Sequence, residues 1–131
     1  MENCIFCKII DRKVPGYILD ENEHVIVFLS KENHPLIVPK IHITDIYSLD
    51  NELGAGIMKE SIKIAKAVKR SLNCDGVYVT QANEPAAGQD VFHYHMHIYP
   101  RWNDGRQLKS DDESRKQTAE EIKAVLHLAN N

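Results

Sequence analysis

The chain has 131 residues, 43% of them hydrophobic and 27% charged, with a formal net charge of −3 and a pI near 6.1. That length suits one domain over residues 1–131 with a modest core, and the acidic balance excludes the basic face that duplex nucleic acid demands, so a nucleotide would bind only in a local pocket. No apolar run approaches the ~20 residues of a bilayer span, and the start, with Glu2 and Cys4, lacks a basic stretch followed by an apolar core; a cytoplasmic protein without membrane attachment is expected.

Cys4 to Lys13 is expected to form one or two helical turns, closed by Val14-Pro-Gly16. Its Cys4-Ile-Phe-Cys7 pair, with an odd third cysteine elsewhere, argues against a secreted disulfide framework and for metal binding or redox chemistry. Tyr17–Leu19 and His24–Leu29 read as a β-hairpin around Asp20-Glu-Asn-Glu23, and Pro35–Pro39 as a third strand with its prolines at the ends, where a missing donor costs least. Leu49, Leu53, Ile57, Ile64, Val68 and Leu72 recur at helical spacing, with Ser48 as N-cap and Asp50 and Glu52 in the first turn. The helix should stop before Asn73-Cys-Asp-Gly76, leaving Cys74 as a small buried residue. Its Lys59, Lys63, Lys66, Lys69 and Arg70 read as a solvated face.

Val77–Thr80 is a fourth strand by β-branched content; a glycine-containing loop, Asn83 to Asp90, leads into a fifth over Phe92–Tyr99. The acidic trio Asp111-Asp-Glu113 reads as a solvated loop, and a last helix is expected from Thr118, where Thr118 and Glu121 fit a capping box and Ile122, Val125, Leu126 and Ala129 form the buried stripe.

The fifth strand carries the strongest signal. His93, His95 and His97 fall at every second position, so an extended backbone puts the three imidazoles on one face and Phe92, Tyr94, Met96 and Ile98 on the other. At ~3.3 Å per residue, neighbouring histidines have Cα atoms roughly 6.6 Å apart and the outer two roughly 13 Å. Imidazole nitrogens must come within about 2.0 to 2.1 Å of zinc, so the three cannot share one ion and must divide the labour. His24 and His127 read as ordinary surface or core histidines without a functional role.

Taken together, Cys4-Ile-Phe-Cys-Lys-Ile-Ile10, Val38-Pro-Lys-Ile-His42, Ala87-Gly-Gln89 and His93-Tyr-His-Met-His-Ile-Tyr-Pro-Arg101 resemble the histidine-triad (HIT) superfamily of nucleotidyl hydrolases and transferases, and most of all its zinc-containing bacterial branch. The resemblance implies an α+β fold: a five-stranded antiparallel sheet with one long and one C-terminal helix, paired as a homodimer with a continuous sheet. It implies a structural zinc on Cys4, Cys7, His42 and His93, closed to water and stapling the N-terminal segment to the triad strand. It assigns His95 as nucleophile toward the α-phosphorus of a nucleotide conjugate, a purine one being expected, with His97, His34 and Gln89 completing the catalytic set.

Base and ribose are then expected against Ile5, Phe6, Ile26, Phe28 and Ser30, and the phosphate or leaving group against Asn83, Gly88 and Asp90. Ser30 stands where the family commonly has an aspartate on the ribose hydroxyls, and Asn33-His34-Pro35 replaces the more usual Gly-His-Thr. Asp90 stands where many relatives have serine or threonine, and Ala82 where asparagine is frequent, with Asn83 beside it. An ionised Asp90 would repel phosphate and suit a cationic leaving group. Trp102 is expected either to reach a partner's site or to pack in an interface. Two other functions remain open: a nucleotide-binding regulatory module with little catalysis, and a zinc or redox protein indifferent to nucleotides.

Overall fold

The computed structural model describes residues 3–129, the side chain of Ala129 excepted, so that Glu2 and the last member of the expected helical stripe lie outside the described residues. Five strands form one antiparallel sheet: β1 (Ile18–Glu21), β2 (Val25–Leu29), β3 (Pro35–Pro39), β4 (Gly76–Thr80) and β5 (Met96–Arg101), in the order β1-β2-β3-β5-β4. The expected α+β architecture is the one observed. Alternation along the central strands splits the core in two. Val25, Val27, Leu29, Ile37 and Ile98 face the helices α2 (Asn51–Ser71) and α3 (Asp112–Ala129). Ile26, Phe28, Leu36 and Val38 face the other way and pack against Phe6 of the short helix α1 (Ile5–Ile10). All five residues of β2 and of β3 are buried, since both faces are covered.

Several boundaries differ from the sequence reading: β1 runs on through Asp20 and Glu21, expected in the turn, and the larger shifts are three. Helix α2 starts at Asn51, not Leu49, and its N-cap is Asp50, whose carboxylate accepts the Leu53 N–H at 2.8 Å; Ser48 ends a short 3₁₀ turn instead. Helix α3 begins six residues before Thr118, where Asp111 accepts from the Ser114 N–H at 2.9 Å. The acidic trio is therefore the cap and first turn of a helix, matched to its positive end. Thr118 lies inside it, buried, its hydroxyl donating to the Ser114 carbonyl and accepting from Asn33 Nδ2. The fifth strand begins at Met96 in place of Phe92. Leu36 pairs with His97 and Ile37 with Met96; continuing that register would set Tyr94 opposite Pro39, which has no N–H to give. The chain leaves the ladder, and Tyr94 donates to the Ile43 carbonyl.

The basic face of α2 is only partly solvated. Lys63 pairs with Asp20 at 2.8 Å, and Lys69 donates to the Cys74 carbonyl. Cys74 is buried as expected. Beside the Lys63 pair, Glu60 is 6% exposed, and its Oε1 has no hydrogen-bond partner among the described residues. Burial, and then the Asp20 carboxylate it faces, push Glu60 from 4.5 up to about 7. A carboxyl raised on folding contributes stability that is present below its unfolded pKa and lost as pH rises through the folded one. Glu60→Gln should therefore exceed the native chain in stability by on the order of 1 kcal/mol at pH 8 and match it at pH 4. Urea melts at the two pH values check this; an equal difference at both would sink the assignment.

Candidate active site and metal centre

The sheet face opposite α2 and α3 carries the chemistry. Tyr94, Met96 and Ile98 pack into the helix-side core, so His93, His95 and His97 point the other way although the first two precede the strand. Phe92, expected beside Tyr94, is instead exposed. The imidazoles form a row: ring centroids lie 4.9 Å apart for His42 and His93, 4.9 Å for His95 and His97, and 5.1 Å for His97 and His34.

At one end of the row, Cys4, Cys7, His42 and His93 bring one ligand atom each to within 4.8 Å of one another. Cys4 is the N-cap of α1, and its sulfur accepts the Cys7 N–H, which turns both thiols the same way. His93 Nδ1 is 3.4 Å from Cys4 Sγ and 3.5 Å from Cys7 Sγ, and His42 Nδ1 is 3.3 Å from Cys7 Sγ. Tetrahedral zinc with ordinary bond lengths would hold such donors roughly 3.4 to 3.8 Å apart, so the set fits the ion that the chemistry of its donors suits. His93 Nε2 lies 2.8 Å from the Pro39 carbonyl, which can only accept, so Nδ1 carries the lone pair toward the sulfurs. Burial holds His93 down to about 4, leaving its ring neutral and ready to ligate. Burial and the facing Cys4 raise the Cys7 thiol in the metal-free chain; a bound dication would reverse that direction.

His95 is 6% exposed, with its ring edge-on to Phe6 at 5.0 Å. Its Nδ1 lies 2.7 Å from the His93 carbonyl, so Nδ1 donates and, in the neutral ring, Nε2 presents a lone pair. Asp90 Oδ1 stands 3.7 Å from that Nε2 on an exposed side chain. His97 Nδ1 is 2.8 Å from His34 Nε2, and His34 Nδ1 is 3.0 Å from Ser30 Oγ. Burial first, then the neighbouring cationic forms of other groups, hold His34 to about 3 and His97 to about 4.

The remaining residues singled out from sequence divide into two groups. Phe6, Ile26 and Phe28 form a buried apolar floor beside His95, whereas Ile5 is 40% exposed and outside that cluster. Gln89 and Asn83 are committed to the loop. Gln89 accepts from the Glu84 N–H and donates to the Thr44 and Val91 carbonyls; Asn83 accepts from the Ile46 N–H and pairs with Gln81. Gly88 has φ +94°, a left-handed turn that brings the chain round toward Asp90. Ser30 is buried against His34.

Tyr78, Tyr99 and Arg101 received no role from the sequence. Tyr99 stacks on His34 at 3.9 Å and on His97 at 5.4 Å, Tyr78 stacks on Tyr99, and the Arg101 guanidinium lies 4.6 Å over the Tyr99 ring. They border a cavity of about 410 Å³ together with Glu32 and Gln107. For two of them the signal was available: Tyr99 and Arg101 continue the two-residue period of the histidines, whereas Tyr78 is brought in by the pairing of β4 with β5. Trp102 packs half-buried against the helix-side core, its indole donating to the Asn73 carbonyl.

The HIT domain matches residues 11–104. Over 108 residues, 79% of this chain and 74% of the relative, the chain is 42% identical to the "Protein hit" of Bacillus subtilis. Over 102 residues, 75% of this chain and 62% of the relative, it is 33% identical to the adenosine 5'-monophosphoramidase of Saccharomyces cerevisiae. Among solved structures, a Zn-bound histidine triad family protein from Mycobacterium smegmatis superposes with a TM-score of 0.89 at 28% identity, covering 98% of this chain and 96% of that one. No helix among the described residues is long and apolar enough to cross a membrane.

Proposed function

The chain belongs to the HIT domain family, and on that premise we propose that it is a nucleotide hydrolase or nucleotidyl transferase acting on the α-phosphate of a nucleotide conjugate, a dinucleoside polyphosphate or a nucleoside phosphoramidate. The observation that carries this is His95: its Nδ1–H is spent on the His93 carbonyl, which leaves the Nε2 lone pair as nucleophile. Nε2 attacks the α-phosphorus, the bond from phosphorus to the leaving group breaks, and the departing atom keeps the electron pair and takes a proton from solvent. Water then attacks the phosphorus of the nucleotidyl-histidine and gives up a proton to solvent, and the phosphorus–Nε2 bond breaks with its electron pair returning to Nε2. Charge gathering on the equatorial oxygens meets His97, and the base lies on the apolar floor of Phe6, Ile26 and Phe28. The related yeast enzyme acts on a phosphoramidate, and Asp90 favours the same class here, because a carboxylate beside the reacting centre repels an anionic leaving group and attracts an amine. Turnover of an adenylated panel, with His95→Ala as control, tests the reading.

Cys4, Cys7, His42 and His93 would hold zinc in a closed site whose contribution is structural. A zinc thiolate site and free cysteines fit a reducing cytoplasm. The homodimer is part of the proposal. β4 is an edge strand with Tyr78 51% and Val79 46% exposed, and α2, which packs against it, exposes Met58 and Ile62. A second copy along this edge would continue the sheet and cover those side chains. Sedimentation should give a dimer for the native chain and a monomer for Val79→Lys; a native monomer at every concentration tried would remove the dimer.

A further inference from the structure

We propose that Ser30 is a positioning residue that, acting through His34, fixes the proton of His97 on Nε2. The reasoning is a count of donors and acceptors. Ser30 Oγ lies 3.1 Å from the Glu32 N–H and 3.2 Å from the His34 N–H, and both backbone groups can only donate. A hydroxyl has two lone pairs and one proton. With both lone pairs taken, the third contact, His34 Nδ1 at 3.0 Å, must receive the hydroxyl proton. His34 Nδ1 is then an acceptor, and the ring's own proton sits on Nε2.

The next link follows from the same bookkeeping. His34 Nε2 and His97 Nδ1 are 2.8 Å apart, so His34 donates and His97 Nδ1 accepts. His97 therefore carries its proton on Nε2, and no protein group among the described residues is hydrogen-bonded there. Burial keeps both rings neutral at ordinary pH, His34 at about 3 and His97 at about 4, so each holds a single proton and the relay has one arrangement.

The turn is built to hold this geometry. Asn33 takes a positive φ of 70°, the Ser30 N–H donates to the His34 carbonyl, and Arg115 of α3 donates to the Ser30 carbonyl. Adjacent histidines consequently present opposite faces: His95 a lone pair, His97 an N–H. For the consequence that His97 donates to a phosphoryl oxygen, the inference rests on the proposed reaction; the proton arrangement itself does not.

Isotope-edited NMR of the imidazole nitrogens in the zinc-loaded chain reads each tautomer directly. His34 and His97 are expected as Nε2–H forms in the native chain and in Ser30→Thr, which keeps the donor. Ser30→Ala should lower the Nε2–H to Nδ1–H ratio of His34 and His97 by roughly fivefold or more, the bias of one hydrogen bond. With a substrate that turns over, Ser30→Ala should lower kcat about threefold to tenfold at nearly constant KM, since the donor to the transition state is diluted and not removed. An Nδ1–H form of His97 in the native chain, or unchanged tautomers in Ser30→Ala, overturns the relay. So does a rise in KM at constant kcat, which would return Ser30 to a ribose contact. Failure of every nucleotide conjugate to turn over would instead strike the proposed function, and the native tautomers would still decide the relay.

Discussion

His95→Ala should abolish turnover of every adenylated substrate, by at least about a thousandfold in kcat, because removing a nucleophile deletes the covalent route and not one of its supports. The protein should still bind nucleotide, since the apolar floor of Phe6, Ile26 and Phe28 is untouched. The measurement pairs steady-state release of nucleoside monophosphate with the rise in melting temperature that the monophosphate causes. Native protein incubated with α-phosphate-labelled substrate and quenched should carry label on His95, and the variant none. Residual turnover within tenfold of native would remove His95 from the chemistry. Binding without turnover in the native chain would favour the regulatory reading, for which the Asp90 carboxylate 3.7 Å from Nε2 is the motive.

Removing the metal should cost stability and activity together. His93 serves two centres at once: its ring faces the Cys4 and Cys7 sulfurs, and its carbonyl receives the His95 Nδ1–H. Without the ion, α1 is tied to His42 and His93 only by thiol–imidazole contacts and packing, and Phe6, which covers His95, loses its anchor. Native protein is expected with about one zinc per chain, and chelation or Cys7→Ser should lower Tm by roughly 10 °C or more, a loss of several kcal/mol for a chain of this size. Activity should fall in parallel by about tenfold, as a misplaced nucleophile does. Cys74→Ala, at a buried thiol outside the cluster, should keep its zinc. A chain without zinc whose Cys4 and Cys7 cycle through a disulfide would contradict the assignment and favour the redox alternative.

Local pattern is legible in sequence because it depends on near neighbours. The helical spacing through α2 and the prolines at both ends of β3 each report a backbone period or a missing donor, and each matches the fold; the two-residue period of the triad gives the shared face but not the start of the strand. The errors lie where a distant partner outbids the local signal. Thr118 fits a capping box, yet Asp111 takes that task, and Thr118 is buried against Asn33 from the turn after β2. Phe92–His95 alternates like a strand, yet Pro39 has no donor for it, and His93 and His95 spend their rings on carbonyls and sulfurs.

The candidate site divides along the same line. By itself the sequence determined that three imidazoles share a face, that one ion cannot take all three, and that a pair of thiols waits near the start of the chain. Only the tertiary structure decided which atoms meet: Nδ1 of His93 and His42 toward the cysteines, the His93 carbonyl on His95, Ser30 on His34 and His34 on His97. Spacing along a chain fixes the face from which a side chain leaves. Which nitrogen keeps its proton depends on whether an acceptor or a donor stands opposite, and those partners come from residues up to 89 positions away.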